Sequence, residues 1–139
     1  MTTTEILKLR QEANGLNRLM HMHVISLNAH SAVVELELTD ELLNPLGMAH
    51  GGTIISQCDI AAGSAAAACG RVAVTLDSTI HYYHPGRAGH LLTATASERK
   101  SGRTTAVYLI EVRDDEDKHI ADATFTMYYT GQTIHDLKH

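Results

Sequence analysis

One carboxylate stands out in this chain as a side chain that could do chemistry. Asp59 is the only acid in a largely apolar segment over 52–69, about two turns past the point where a helix would begin. At that depth the helix dipole no longer favours a carboxylate, and burying a lone acid costs free energy unless something uses or satisfies it. The sequence therefore predicts either a functional carboxylate or one that is hydrogen-bonded or exposed at a rim.

The three residues His50-Gly51-Gly52 form the second candidate, because they come directly before the same segment. Backbone N–H groups at a helix start have no partner in the helix, and the positive end of the dipole lies there. Glycine would let a ligand oxygen come close to those groups. The alternative is that two glycines only make a tight turn into the helix.

A long helix over 52–69 must position both candidates. Its second half is the run from Ala61 to Ala68, which contains only alanine, one glycine and one serine. Alanine is the strongest helix former, so the segment predicts a helix of about 17 residues. Its small side chains would let other backbones approach from several sides, and a solvent-exposed helix would carry Lys and Glu. We expect this helix to be buried inside a curved sheet.

Strand patterns lie on both sides of this helix. Alternating residues from His21 to Leu38 predict two strands, and four further strand-like runs cover 72–83, 91–99, 104–113 and 120–130. Short connections favour antiparallel pairing, so we expect a strand pair, the helix and then a four-strand meander. The predicted fold class is α+β, with an antiparallel β-sheet wrapped around a long central α-helix.

The ends of the chain complete this organisation. Helical spacing predicts an N-terminal helix over about 4–20, interrupted at Gly15, and the tail over about 131–139 is expected to fray. Within 72–83, the alternation predicts Val74 and Ile80 on one face and Thr75 on the other. At 139 residues, the chain has the size of a single domain over 1–139.

Composition and charge exclude several classes of function. The net charge of −5 and the six Tyr and Phe residues argue against nucleic-acid binding. No apolar run is long enough to span a membrane, and Cys58 and Cys69 are too far apart on one helix to pair, so we expect a cytoplasmic protein with reduced thiols. The ten histidines lack the spacing of metal ligands, and no phosphate-binding or dinucleotide-binding motif is present.

The combined motifs resemble the hotdog-fold acyl-CoA thioesterases, and among them the branch named for the phenylacetate-degradation thioesterase. The resemblance runs from about Leu19 to Tyr129. It is carried by NPLGMAHGG over 44–52, by Asp59 nine residues after His50, by VTLD over 74–77 and by YHPG over 83–86. It implies hydrolysis of an acyl-CoA, with an aryl or arylacetyl group, to the free acid and CoA.

The resemblance also implies catalytic roles. Asp59 would be the nucleophile or general base, and the Gly51 amide would stabilise the oxyanion. Thr75 would lie near the acid, although it could be an ordinary strand former. Asn44 would position the water or the acid, although it could be only a turn residue. His50 would contact the thioester or brace its loop, or it could be purely structural.

Coenzyme A is strongly anionic, so an acidic protein needs local positive charge to hold it. The candidates for binding CoA are Gly52 and the basic residues Arg87, Arg99, Lys100 and Arg103. The alternative is that exposed basic residues at a hairpin tip have no ligand. We expect no cofactor and no metal, since coenzyme A enters only as part of the substrate.

An oligomer is also expected. Asp59 is about seven residues into its helix, roughly 10 Å along the axis from Gly51, too far for the two to act on one carbonyl. A homodimer with antiparallel helices would share its active sites, and the resemblance implies that such dimers pair into tetramers. Two other functions remain open from the sequence: a non-catalytic acyl-CoA binding module and a hotdog dehydratase or hydratase.

Overall fold

The computed structural model describes residues 2–12 and 14–136. The predicted N-terminal helix is two helices, α1 (Thr3–Glu12) and α2 (Gly15–Leu19). Asn14 begins α2, because its side chain accepts a hydrogen bond from the backbone N–H of Asn17 at 3.2 Å. The helix is interrupted as predicted, but the break lies just before Gly15, which is the first residue of α2. Ala13, which the prediction placed in the helix, lies outside the described residues.

The long central helix is α3 (Gly51–Ala67), close to the predicted limits. Most of its residues after Asp59 are buried, including the alanines at 61, 62, 65, 66 and 67. The helix contacts all six strands of the sheet, which small side chains allow at short distances. The predicted arrangement, an antiparallel sheet wrapped around a buried helix, is confirmed.

Six antiparallel strands form one sheet in the order β1-β2-β4-β5-β6-β3. They are β1 (Met22–Asn28), β2 (Ser31–Glu37), β3 (Arg71–Tyr82), β4 (Leu91–Ser101), β5 (Thr105–Asp114) and β6 (His119–Thr133). Short 3-10 helices cover Asp40–Leu42 and Ile134–Asp136. All six predicted strands are present.

The predicted four-strand meander is wrong. β3 pairs with β6 and not with β4, while β4 pairs with β2 on the other side of the sheet. A meander follows from short connections, but the segment over 83–90 leads from the sheet edge to an interior strand and contacts the loop just before α3. The consequence is that β3, a strand of twelve residues, forms one edge of the sheet.

A β-bulge in β3 decides which of its side chains face α3. The register shifts between Thr75 and Asp77, so the alternation changes phase there. Thr75 lies opposite Met127 and Ile80 opposite Ala123, both buried, whereas Val74 lies opposite exposed Tyr128. The prediction that Val74 and Ile80 share a face is wrong, and the bulge places Thr75 on the helix side.

The tail is ordered further than predicted. β6 continues to Thr133, and the next residue, Ile134, is 3% exposed and donates a 2.7 Å hydrogen bond to the Gly70 carbonyl. Ile134 packs with Ile6 and Ala67, so it joins the two ends of the chain to the end of α3. The prediction of fraying is wrong over 131–136, and residues 137–139 lie outside the described residues.

None of the helices in the described ranges is both long enough and apolar enough to cross a membrane.

Candidate active site

The first backbone amides of α3 have partners with one exception. The Gly52 N–H donates to His50 Nδ1 at 2.8 Å, and the N–H groups of Thr53 and Ile54 donate to the His50 carbonyl at 2.9 and 3.3 Å. Among the described residues, the Gly51 N–H donates to none. The helix start therefore presents a single free donor, at the position predicted to stabilise an oxyanion.

His50 braces this helix start. It is the N-cap of α3, and its exposed ring accepts the Gly52 N–H through Nδ1, which holds the ring against the start of the helix. This is the second of the two roles that the resemblance implies for His50. The same bond occupies the Gly52 amide, so the Gly52 N–H has a partner within the chain and is not free for a substrate.

Tyr82 holds the carbonyl of the Gly51–Gly52 peptide bond, whose N–H donates to His50. Its hydroxyl donates a 2.8 Å hydrogen bond to the Gly51 carbonyl, and removal from water raises the pKa of that hydroxyl, which keeps it a donor. A Cβ at Gly51 would lie 3.3 Å from the Tyr82 hydroxyl oxygen, so a larger residue there requires only a small shift of the Tyr82 side chain. Gly51 and Tyr82 line a cavity of about 310 Å³ together with Met48, Ile54 and Gly86.

Asp59 and Thr75 form a second cluster. The Thr75 hydroxyl donates a 2.5 Å hydrogen bond to Asp59 Oδ1, and the carboxylate is half-buried. No hydrogen bond to Oδ2 comes from the residues the structure describes. The hydrogen bond from Thr75 fits the second alternative from the sequence, a hydrogen-bonded acid, while a functional carboxylate stays a prediction. Asp59 and Thr75 together line cavities of about 380 and 260 Å³.

The two clusters are separated within one chain. α3 begins at Gly51, so Asp59 lies eight residues further on, about 12 Å along the axis. The two residues also open into different cavities. Attack on a carbonyl needs an approach of about 3 to 3.5 Å, so the amide and the carboxylate of one chain do not act on the same carbonyl.

Asn44 fixes the loop that leads to α3. Its Oδ1 accepts hydrogen bonds from the backbone N–H groups of Leu46 at 2.9 Å and Met48 at 3.2 Å. This is the geometry of a turn residue. Only the side-chain nitrogen of Asn44 is left for a substrate or a water.

The predicted basic residues divide between the two ends of α3, and all four are exposed. Arg87 forms a backbone bridge with Met48, beside the cavity of Gly51. Arg99, Lys100 and Arg103 lie at the hairpin between β4 and β5. Arg71, which follows α3, donates to the carbonyls of Gly102 and Arg103, so this hairpin lies at the opposite end of the helix.

Two residues near these clusters were missed by the sequence interpretation. Tyr82 was read only as one of several apolar strand residues, and no motif marks its contact with Gly51. Arg10 lines the Asp59 cavity from α1. Its signal was present, because it lies four residues after buried Ile6 and therefore on the inward face of a helix.

No three His, Cys, Asp or Glu side chains within 2–12 and 14–136 form a group that could hold a metal ion.

Comparisons with known proteins agree with this architecture. The family model of the thioesterase superfamily matches residues 46–121. The acyl-coenzyme A thioesterase PaaI of Escherichia coli K12 is 36% identical over 123 residues, covering 88% of each chain. The structure of E. coli PaaI, from the phenylacetic acid degradation operon, superposes with a TM-score of 0.91 over 94% of this chain and 95% of that one, at 31% identity.

A thioesterase from Streptococcus pneumoniae with bound coenzyme A superposes with a TM-score of 0.78, at 32% identity, over 81% of this chain and 88% of that one. Two variant structures of the streptococcal protein each replace one residue with alanine, an aspartate in one and a threonine in the other. These two positions are sixteen residues apart.

The fold is thus the hotdog fold of thioester hydrolases, in which the sheet surrounds one helix. This chain belongs to the thioesterase superfamily. It is an acyl-CoA thioesterase, which hydrolyses the thioester to a free acid and CoA.

Proposed function

We propose that the acyl group is aryl or arylacetyl. The cavity beside Asp59 is lined by apolar side chains of Leu16, Ile60 and Met127, and its volume of about 380 Å³ suits a ring. The E. coli relative, from a phenylacetic acid degradation operon, points in the same direction.

The observation that carries the mechanism is the free Gly51 N–H at the start of α3. In the proposed reaction it donates a hydrogen bond to the thioester oxygen as negative charge develops there. Tyr82 and His50 hold the following peptide, so this donor is oriented before the substrate binds.

Asp59 supplies the attacking oxygen in one of two ways. As a general base it takes a proton from water, and the hydroxide attacks the carbonyl carbon. As a nucleophile it forms a mixed anhydride that water then hydrolyses. In both routes the C–S bond breaks, the thiolate takes a proton to become CoA, and the acid is released. Thr75 holds Asp59 Oδ1 and leaves Oδ2 to react.

Support for the roles of Asp59 and Thr75 comes from their spacing. They are sixteen residues apart, as are the aspartate and threonine replaced in the streptococcal variants. Asn44, with its side-chain nitrogen free, would orient the attacking water.

The active site is proposed to be shared between two subunits. β3 is an edge strand of twelve residues whose Val74 and Leu76 are 51% and 60% exposed, and a long apolar edge favours pairing with another chain. A second copy related by a two-fold axis would place its α3 antiparallel to the first. Asp59 of each chain would then face Gly51 of the other, and two such dimers would form a tetramer.

The basic residues fit this arrangement. Arg99, Lys100 and Arg103 lie at the end of α3 far from their own Gly51. With antiparallel helices they would approach the Gly51 cavity of the second subunit, next to its Arg87. The proposed contacts of the CoA phosphates are therefore these four side chains.

No cofactor is proposed, since a polarised carbonyl and an activated oxygen suffice for this reaction. The protein is proposed to act in the cytoplasm, because both cysteines are free and Cys69 is exposed.

The test is a panel of acyl-CoA thioesters with detection of released thiol. The Cys69→Ser variant is used, because exposed Cys69 would react with the reagent, whereas burial raises the pKa of Cys58 to about 12 and keeps it unreactive. Arylacetyl-CoA and aryl-CoA should have a higher kcat/KM than straight-chain thioesters of equal carbon number. A preference for the straight-chain thioesters would contradict the proposed acyl group.

A further inference from the structure

Arg10 reaches from α1 into the cavity that contains Asp59. Its Nε donates a 3.3 Å hydrogen bond to the Ser64 hydroxyl, and a Cβ at Gly63 would lie only 2.9 Å from Nη2. The guanidinium therefore lies directly against α3 at Gly63. Gly63 is four residues after Asp59, which is about 6 Å along the helix axis. The Asp59 carboxylate and the Arg10 guanidinium line the same cavity, about one helical turn apart.

The charge of Arg10 is poorly compensated. No carboxylate of the described residues forms an ion pair with it, and the two Nη groups have no hydrogen-bond partner in that part of the chain. Burial lowers the pKa of Arg10, and the charge of Asp59 opposes this. A half-buried cation with unused donors is costly, so a native site of this kind is expected to receive an anion or another acceptor.

The remaining walls of the cavity do not supply one. Leu16, Ile60 and Met127 are apolar, Asn14 Oδ1 already accepts a hydrogen bond from the Asn17 N–H, and the Thr75 hydroxyl already donates to Asp59. A ligand that enters from Asp59 thus passes the apolar side chains of Ile60 and Met127 before it reaches the guanidinium. A guanidinium binds a carboxylate through two parallel hydrogen bonds, the strongest match to its free donors.

We infer that Arg10 determines acyl specificity by binding a carboxylate at the far end of the acyl group. The substrate class is then the CoA monothioesters of dicarboxylic acids, including arylacetyl groups that carry a ring carboxylate. This inference rests on the proposed function, since it takes Asp59 as the reacting end of the cavity.

The experiment compares two matched pairs of thioesters. The aromatic pair is 4-carboxyphenylacetyl-CoA and 4-nitrophenylacetyl-CoA, because a nitro group has the shape of a carboxylate without its charge. The straight-chain pair is adipyl-CoA and hexanoyl-CoA, which tests Arg10 independently of the ring. We expect the wild-type kcat/KM to favour the carboxylate of each pair by about tenfold or more, and this ratio to fall to about one or below in Arg10→Met.

Two further variants separate this role from a structural one. Lys8→Met removes the same charge from an exposed position of α1 and should keep the wild-type ratio. Gly63→Ala adds a methyl group where Nη2 now lies, and the flexible guanidinium can move away without unfolding the helix. Gly63→Ala should therefore lower the ratio in the same direction as Arg10→Met.

The outcomes distinguish this inference from the proposed function. Equal ratios in wild type and Arg10→Met, or a wild-type preference for the neutral thioesters, would overturn the role of Arg10 while hydrolysis stands. If the wild type hydrolysed no thioester, the proposed mechanism would fail. Binding of each pair to the Asp59→Asn protein, with and without Arg10→Met, then decides on Arg10: tighter binding of the carboxylate only when Arg10 is present supports it, and equal binding refutes it.

Discussion

Tyr82 and Gly51 are joined by a 2.8 Å hydrogen bond from the tyrosine hydroxyl to the glycine carbonyl. This contact links the last residue of β3 to the first residue of α3. With the His50 ring on the next amide, it orients the start of the helix so that one N–H remains free.

Replacing Gly51 with proline should therefore abolish oxyanion stabilisation without preventing folding. Proline is well suited to the first position of a helix, and His50 before it is already extended, with φ −60° and ψ 139°. Loss of the donor should lower kcat by about a hundredfold to a thousandfold, or roughly 3 kcal/mol. Gly51→Ala is the control, because it adds a Cβ next to Tyr82 and keeps the N–H. Equal rates for the two variants in steady-state assays would refute the role of the amide.

Removing the carboxylate of Asp59 should stop turnover and leave substrate binding intact. Asp59→Asn keeps the shape of the side chain but can act neither as a base nor as a nucleophile, so we expect kcat to fall by about a thousandfold. CoA binding, measured by calorimetry, should stay close to that of the wild type. Asp40→Asn, at an exposed position outside the β3 edge, serves as the matched control. A rate near that of the wild type in Asp59→Asn would exclude the assignment.

Mixing the two inactive variants tests the shared site. A dimer of one Asp59→Asn chain and one Gly51→Pro chain keeps one complete site, because each site takes its carboxylate and its amide from different chains. If equal amounts of the two chains exchange at random, half of the dimers are mixed, and each mixed dimer has one complete site of its two. The rate per chain should then reach about a quarter of that of the wild type. Native mass spectrometry should confirm the mixed dimer. No recovery in verified mixed dimers, or an active monomer in analytical ultracentrifugation, would show that each chain builds its own site.

Metal removal should leave hydrolysis unchanged. The proposed mechanism uses an amide, a carboxylate and water, so exhaustive treatment with a chelator should not alter kcat/KM for the best thioester. A loss of rate that added zinc or another divalent ion reverses would contradict the metal-free mechanism.

A contact between His90 and Asp115 predicts how stability changes with pH. His90 Nδ1 lies 2.6 Å from Asp115 Oδ1, and this hydrogen bond raises the pKa of His90 above 6.5 and lowers that of Asp115 below 3.8. The contact therefore stabilises the fold most between those two values, and its contribution is lost as the pH rises through the raised pKa of His90. His90→Ala should lower Tm more at pH 5 than at pH 9 in thermal melts, whereas exposed His23→Ala should not. An equal effect at both pH values would contradict this account.

Local patterns were enough to predict the elements and the main candidates. The alanine-rich run predicts α3 because alanine favours helix regardless of its neighbours. Asp59 stands out because a lone acid in an apolar helix is costly wherever that helix packs. The six strands follow from alternation, and the break in the N-terminal helix near Gly15 follows from the residue types there. Each of these inferences depends on interactions between residues close together in the sequence.

Strand order and strand face were not predictable in the same way. Pairing of β3 with β6 separates β3 from β4, which the expected meander placed side by side, and alternation carries no information about which strand lies next to which. The bulge between Thr75 and Asp77 reverses the face of half the strand. Alternation therefore gave the wrong face for Thr75, and only the family resemblance placed it near Asp59, where the folded sheet shows it.

The sequence by itself determined which residues of this protein could react: an acid within a buried helix and a glycine at the start of that helix. The tertiary structure alone decided what holds them. Tyr82, thirty-one residues after Gly51, binds the Gly51 carbonyl, and Arg10 from α1 lines the cavity of the acid. Such contacts join segments that are distant in the chain, and packing of the whole sheet around α3 sets their geometry.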